Sequence, residues 1–257
     1  MNYGTMNYNY YDIGTRLINQ PLINGMKELL NYQFTINPNA NIAFIREPSL
    51  KYILAENIWY FSGSQSSKWI GKFANLWNNI TDDGETANSA YGHIIFKRHG
   101  FNQLTKVLYM LRHDKNTRRA FININVPHAN KLETKDEPCT IGLNLNIREN
   151  KLYMTCMMRS NDVWFGLPYD VIFFTELQKY IARSLNIEVG SYTHFVTSLH
   201  MYEKDETKLA NKLYDFIMED TKEFKVDFKK LIEQSSQLYN IVNKENILDV
   251  CKERGII

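Results

Sequence analysis

The stretch "IGLNLNIRENKLYMTCMM", Ile141 to Met158, constrains the fold more than any other part of the chain. Apolar and polar residues alternate in two runs, which meet at a polar turn, Glu149-Asn150. Alternation sends successive side chains to opposite faces of a pleated strand, so the two runs predict a β-hairpin. "RAFININV" alternates at Phe121, Ile122/Ile124 and Val126, and "SYTHFVTSLHMYEKD" predicts another strand. In that strand His200 and Tyr202, two residues apart, point to one face.

Two helices stand out beside these strands. From Ser49 to Ser62, Leu50, Ile53, Leu54, Ile58 and Phe61 recur at helical spacing, with Ser49 as N-cap and Glu56 close to the apolar stripe. After Pro168, suited to a first helical position, Val171, Ile172, Phe174, Leu177, Ile181 and Leu185 trace a helix apolar enough to be largely buried. The last residue of "GLPYD", Asp170, falls in its first turn, where a carboxylate favours the positive end of the helix dipole. The first dozen residues, "MNYGTMNYNYYD", have weak periodicity and read as an ordered arm or a frayed end. The last fifty give mixed helical and strand segments. The sum is an α+β fold: an antiparallel or mixed sheet with one buried helix packed on it. No repeat or linker divides residues 1–257, so one domain is expected.

Composition narrows the chemistry. With 30 Lys+Arg against 28 Asp+Glu the formal net charge is +2. No global basic field exists to drive sequence-independent nucleic-acid binding, and a bound phosphate would need a local arginine cluster. Cys139, Cys156 and Cys251 are odd in number and lack CxxC spacing, against a disulfide framework or a zinc site. A reducing, cytoplasmic compartment and no metal are expected. No apolar run reaches the roughly 18 residues that span a bilayer.

Several residues carry possible chemistry, each beside a plainer reading. Cys139 in "DEPCTIG" sits where a charged loop meets a strand. It is either a small buried hydrophobe or a nucleophile, and the second needs a positive charge nearby. Arg118-Arg119 are a solvated pair or an anion site. Arg159 and Ser160 end an apolar strand, where a guanidinium calls for an anionic partner and the hydroxyl completes a phosphate receptor. His200 and Tyr202 could bind sugar hydroxyls or be satisfied core residues. Glu56 is a buried acid or a helix-surface residue.

The order of these signals is more specific than any one of them. Glu56 in "AENIWYF", Tyr91-Gly92 after "DDGET", Arg118-Arg119, Cys139 in "EPC", "RSNDVWFGLPYD" and "HMY" follow the sequence and approximate spacing of the thymidylate synthase superfamily. The resemblance covers roughly Ser49 to Asp205. It implies a homodimer that binds a pyrimidine nucleotide monophosphate and 5,10-methylenetetrahydrofolate, with no membrane or nucleic-acid partner. It further implies that Arg159 and Ser160 hold the phosphate and that Arg118 and Arg119 reach in from the other subunit. By the same resemblance Cys139 adds to C6, Glu56 organises water and proton transfer, and Tyr91 stands near C5. Asp162 and Trp77 are implied for the folate, and His200 with Tyr202 for the sugar.

Four departures from the family pattern matter. Synthases carry asparagine at the position of Asp170, which suits the O4 and N3–H edge of uracil. A carboxylate instead accepts from the N4 amino group of cytosine and pairs with or delivers a proton at N3. That change resembles the cytidylate hydroxymethylases. Thr140 stands where histidine usually follows the nucleophile, and the arginine loop that closes over the phosphate is missing near the N-terminus, with Arg16 a possible replacement. The C-terminal "KERGII" also differs from the usual apolar tail. The expectation is 5-hydroxymethylation of dCMP or CMP. The alternatives are a thymidylate synthase, a uridylate hydroxymethylase, or a non-catalytic nucleotide- or RNA-binding homologue.

Overall fold

The computed structural model describes residues 5–39, 45–46, 48–125 and 133–218. They fall into two compact units, the first from within 1–48, 107–121 and 139–226, the second from within 49–106 and 122–138.

The first unit is built on the sheet. Strand β1 (Met26–Ile36) is followed in the chain by β2 (Phe121–Asn123), β3 (Thr140–Arg148), β4 (Lys151–Met158), β5 (Asn161–Asp162) and β6 (Glu188–Tyr202). Their order is β1-β6-β4-β3-β2, with β5 also paired to β6. The chain passes from the first unit to the second just after Phe121. The sheet is mixed, as expected: β3 and β4 are antiparallel, β1 and β6 are antiparallel, and β4 and β6 are parallel. A parallel pair needs a crossover connection. Helix α7, defined below, supplies it.

The hairpin forms as the alternation predicts. Leu143, Leu145 and Ile147 face Cys156, Met154 and Leu152 across it, and all six are buried. Its turn places Glu149 and Asn150 at φ of 50° and 57°, the double left-handed conformation of a type I′ turn.

The helices are α1 (Met6–Ile18), α2 (Leu50–Ser62), α3 (Ser67–Ile70), α4 (Leu76–Asn79), α5 (Tyr91–Phe96), α6 (Gln103–His113), α7 (Leu167–Ser184) and α8 (Glu203–Met218). Helix α7 is the buried helix predicted from "GLPYDVIFF". It packs on β4 and β6 and buries Val171, Ile172, Phe173, Phe174, Leu177 and Ile181. Full burial of each such side chain stabilises by about 1.5–3 kcal/mol.

The structure corrects four sequence readings. Within the N-terminal dozen, residues 5–12 belong to a packed helix: Thr5 caps α1, and Met6, Tyr10, Ile13 and Leu17 are buried at helical spacing. Counting Tyr10 as polar hides that stripe. The strand over "RAFININV" is only Phe121–Asn123, and Val126 lies outside the described residues. β6 ends at Tyr202, and Glu203-Lys204-Asp205 begin α8 because three acids in a first turn favour a helix start. Finally, burial on α2 extends beyond the expected apolar stripe, since Ile53 and every residue from Ala55 to Ser62 are buried. Strand β1 and helices α3 to α6 have no counterpart among the sequence-based expectations.

The second unit centres on α2. Ser49 is its N-cap, accepting from Tyr52 N–H at 3.3 Å, and left-handed Gly63 ends it. Helix α5 approaches so closely that a Cβ on Gly92 would lie 1.6 Å from the Tyr60 carbonyl oxygen. Only glycine fits there.

Candidate active site

Cys139 immediately precedes β3, and Arg159 immediately follows β4. The pairing of those strands sets the two residues opposite each other, Arg159 N–H donating to the Cys139 carbonyl at 2.8 Å. The same register brings Arg159 Nη2 to 3.6 Å from Cys139 Sγ. Cys139 is half-buried and is not in a disulfide. A guanidinium beside an accessible sulfur favours the thiolate, the form that attacks carbon.

The chain then runs directly into the polar residues of "RSND". Thr197 Oγ1 donates to the Arg159 carbonyl, fixing the strand end. β5 pairs in parallel with β6, so Asn161 stands beside Leu199 and Asp162 beside His200. Asp162 Oδ1 accepts from the backbone N–H groups of Trp164 and Phe165, at 2.7 and 3.1 Å. Burial raises its pKa, while those N–H groups and His200 oppose the rise. His200 and Tyr202 do share a face, their rings 5.2 Å apart and edge-on. His200 is buried; Tyr202 is 42% exposed. Sequence spacing could not bring Asp162 to His200, because their adjacency comes from a parallel register across an 18-residue helix.

Asp170 occupies the first turn of α7, as predicted. Its Oδ2 accepts from Asn161 Nδ2 at 2.8 Å. The residue keeps partial exposure, yet the protein around its carboxyl pushes the pKa up to about 7, against the pull of the Asn161 hydrogen bond. Helix-dipole stabilisation alone would lower it, so the acid is present against its environment and not because of it.

Glu56, Tyr91 and Trp77 belong to the second unit. Glu56 is buried, and its Oε1 accepts from the Tyr52 hydroxyl at 2.7 Å; Trp77 Nε1 in turn donates to that hydroxyl at 2.8 Å. Glu56 thus lies in the interior and not on the helix surface. Trp77 is itself buried, edge-on to Trp59 at 4.8 Å. Tyr91 stacks on Tyr60 at 5.2 Å. The acidic "DDGET" turn has a local role, Asp83 accepting from the backbone of Glu85 and Thr86.

Arg118 and Arg119 are exposed between α6 and β2, where they line an open depression of about 690 Å³ with Tyr109, His113 and Asp114. Arg16 is ion-paired to Asp12 at 2.8 Å on the exposed side of α1. Arg46 carries no distinguishing pattern in the sequence. Its guanidinium lies 5.1 Å from the Trp164 ring centroid and 5.6 Å from that of Tyr169, and Nη1 is buried without a hydrogen-bond partner among the described residues. Thr140 is fully buried with its hydroxyl likewise unpartnered. The described residues contain no cluster fit for a metal ion, and none of their helices is long and apolar enough to cross a membrane. The segments 126–132 and 219–257, with Cys251 and "KERGII", lie outside the described residues.

A mixed sheet is backed by a buried helix, with Cys139 and Arg159 facing each other at its strand ends and Asp170 in the first turn of that helix. The family model for thymidylate synthase matches residues 21–240, and the chain belongs to that family. It is 31% identical over 208 residues to a protein of Delftia phage PhiW-14 named deoxyuridylate hydroxymethyltransferase, covering 74% of this chain and 57% of the relative. A protein of Bacillus phage SP01 with the same name is 27% identical over 231 residues, 82% of this chain and 60% of the relative. The chain thus spans three-fifths or less of the length of these curated relatives. In fold it matches the thermostable thymidylate synthase A from Bacillus subtilis, with a TM-score of 0.72, 18% identity and 87% of each chain covered.

Proposed function

We propose that this protein transfers a one-carbon unit from 5,10-methylenetetrahydrofolate to C5 of a pyrimidine nucleotide monophosphate, that water completes the product as a hydroxymethyl group, and that the base is cytosine. The observation that carries the choice of base is the carboxyl of Asp170 in the first turn of α7, where Oδ2 accepts from Asn161 at 2.8 Å and burial pushes the acid up to about 7. Cytosine N3 is far more basic than uracil O4. An acid of that strength shares its proton with N3 and, once ionised, accepts from the N4 amino group. A mispaired buried polar group costs about 1–3 kcal/mol, roughly a tenfold to hundredfold discrimination.

The remaining roles follow from the family and from the chemistry of each group. Cys139, with Arg159 beside its sulfur, adds to C6 and makes C5 nucleophilic. Arg159 and Ser160 hold the phosphate, and Arg118 and Arg119 serve a second subunit of a homodimer. His200 and Tyr202 bind the sugar, and Tyr91 stands near C5. These groups fit a flat, anionic co-substrate: Asp162, an exposed Phe165 ring, and Arg46, whose buried Nη1 has no hydrogen-bond partner among the described residues. When bound, the folate supplies carbon at the oxidation level of formaldehyde. Glu56, its Oε1 held by Tyr52, polarises the water whose oxygen enters the product. Elimination of Cys139 then restores the aromatic ring. Nucleotide, methylene folate and water become hydroxymethyl nucleotide and tetrahydrofolate.

A second reading has its own support, because the two phage relatives bear the name of a deoxyuridylate enzyme. Supplying methylenetetrahydrofolate with dCMP, CMP and dUMP in separate reactions distinguishes the two by product mass and folate oxidation state. Hydroxymethylated cytidylate with tetrahydrofolate is the expected result. A methylated uridylate with dihydrofolate would reject hydroxymethylation, and turnover confined to dUMP would reject the choice of base.

A further inference from the structure

Behind Asp170 runs a buried line of polar side chains drawn from three strands. Asn161 of β5 donates from Nδ2 to Asp170 Oδ2 at 2.8 Å. Its Oδ1 meets His194 Nε2 at 3.0 Å, and His194 Nδ1 meets the Tyr192 hydroxyl at 2.8 Å, both from β6. Cys156 of β4 ends the line with a hydrogen bond to Tyr192. Cys156, Tyr192 and His194 have no exposed surface, and Asn161 has 3%. Asp170 alone keeps contact with the outside.

The line has one direction. An amide oxygen only accepts, so His194 must carry its hydrogen on Nε2. Burial without a counter-charge keeps the imidazole neutral, its pKa pushed down to about 3, so Nδ1 is bare and accepts from the Tyr192 O–H. The Tyr192 oxygen is then left to accept from the Cys156 thiol. Gly166 makes room for the last link, because a Cβ there would lie 2.8 Å from Asn161 Nδ2 and 3.3 Å from Asp170 Oδ2. Titratable neighbours of Asp170 are Cys156, Tyr192 and His194, all uncharged at neutral pH.

We infer that Cys156, Tyr192, His194 and Asn161 form a one-way hydrogen-bond relay that commits Asp170 Oδ2 to the protein and leaves Oδ1 as the oxygen that reads the base. In consequence the proton of Asp170 resides on Oδ1, and the carboxyl cannot rotate to suit a different base. Asn161 and His194 are thus positioning residues for substrate choice. The functional part of this inference rests on the proposed pyrimidine-nucleotide activity; the relay itself does not.

Two variants and three readouts test it. His194→Gln keeps the polarity, since its amide nitrogen donates to Asn161 and its oxygen accepts from Tyr192. His194→Phe breaks the line but can still stack on Phe34, whose ring lies 5.2 Å from His194. In the free protein, ¹⁵N NMR should find the Nε2–H tautomer at His194. The ¹³C-detected titration of Asp170 should move up by about half to one pH unit in His194→Phe and return close to its original position in His194→Gln. The cytidylate-to-uridylate ratio of kcat/KM should fall about tenfold in the Phe variant alone. An Nδ1–H tautomer, or an unchanged Asp170 titration in folded His194→Phe, would overturn the relay. Wild-type protein that never prefers cytidylate while both NMR results hold would leave the relay standing and defeat the reading of the base.

Discussion

Arg159 Nη2 stands 3.6 Å from Cys139 Sγ because two antiparallel strands end opposite each other. That single register turns a loop cysteine into a sulfur with a cation beside it. In the folded protein Cys139 should react with iodoacetamide at pH 7, and Arg159→Ala should slow the reaction about tenfold. Fully buried Cys156 should stay unmodified in both proteins, as mass spectrometry of peptides would reveal. Equal rates for wild type and variant would mean that the guanidinium does nothing for the sulfur.

The Trp77, Tyr52 and Glu56 chain yields a graded pair of outcomes. Tyr52→Phe removes the donor to Glu56 and leaves the Trp77 N–H without its acceptor. It should cost about 1–3 kcal/mol in stability and lower product formation about tenfold. Trp77→Phe keeps the Tyr52 to Glu56 bond, and should lose stability and raise KM for the folate while lowering kcat less than Tyr52→Phe does. Denaturant midpoints beside kcat would separate them; similar kcat losses in both would contradict the role given to Glu56.

Thr140 has a fully buried hydroxyl with no partner among the described residues. Thr140→Val keeps the shape and removes the unsatisfied group, so urea denaturation should place the variant about 1 kcal/mol above wild type. A variant less stable than wild type by that amount would reveal a hydrogen bond at this hydroxyl.

Asp170 also ties stability to pH. Its pKa in the folded chain, about 7, exceeds the ordinary 3.8, so between these values the folded state holds a proton that the unfolded state has released. Its stabilising contribution is complete below about pH 4 and disappears as pH rises through 7. Asp170→Asn lacks this dependence. Unfolding measured from pH 4 to 8 should show wild type losing ground to Asp170→Asn by on the order of 2 kcal/mol, a figure already reduced for the partial exposure of the residue. Parallel curves would mean that the carboxyl titrates in its ordinary range.

The sequence carries the local features of this fold well. Alternation around Glu149-Asn150 predicts the hairpin, and the apolar run after Pro168 predicts α7 with Asp170 in its first turn. The α1 stripe is missed because a buried tyrosine serves as an apolar residue there. What sequence cannot supply is register between distant segments. Asp162 meets His200, and Asn161 links Asp170 to His194, only because β5 and β6 lie in parallel across the length of α7. Arg46 escapes for a related reason, as nothing in "FIREP" tells of the Trp164 and Tyr169 rings beside it. Asn161 and His194 read as ordinary strand residues until their partners are placed.

The most direct measurement compares kcat/KM for dCMP, CMP and dUMP in wild-type protein and in Asp170→Asn, with methylenetetrahydrofolate present and product masses recorded. Wild type should favour a cytidylate and yield its 5-hydroxymethyl derivative. Asp170→Asn should shift that preference toward uridylate by tenfold or more. Selectivity that is the same in both proteins would contradict the claim that Asp170 chooses the base.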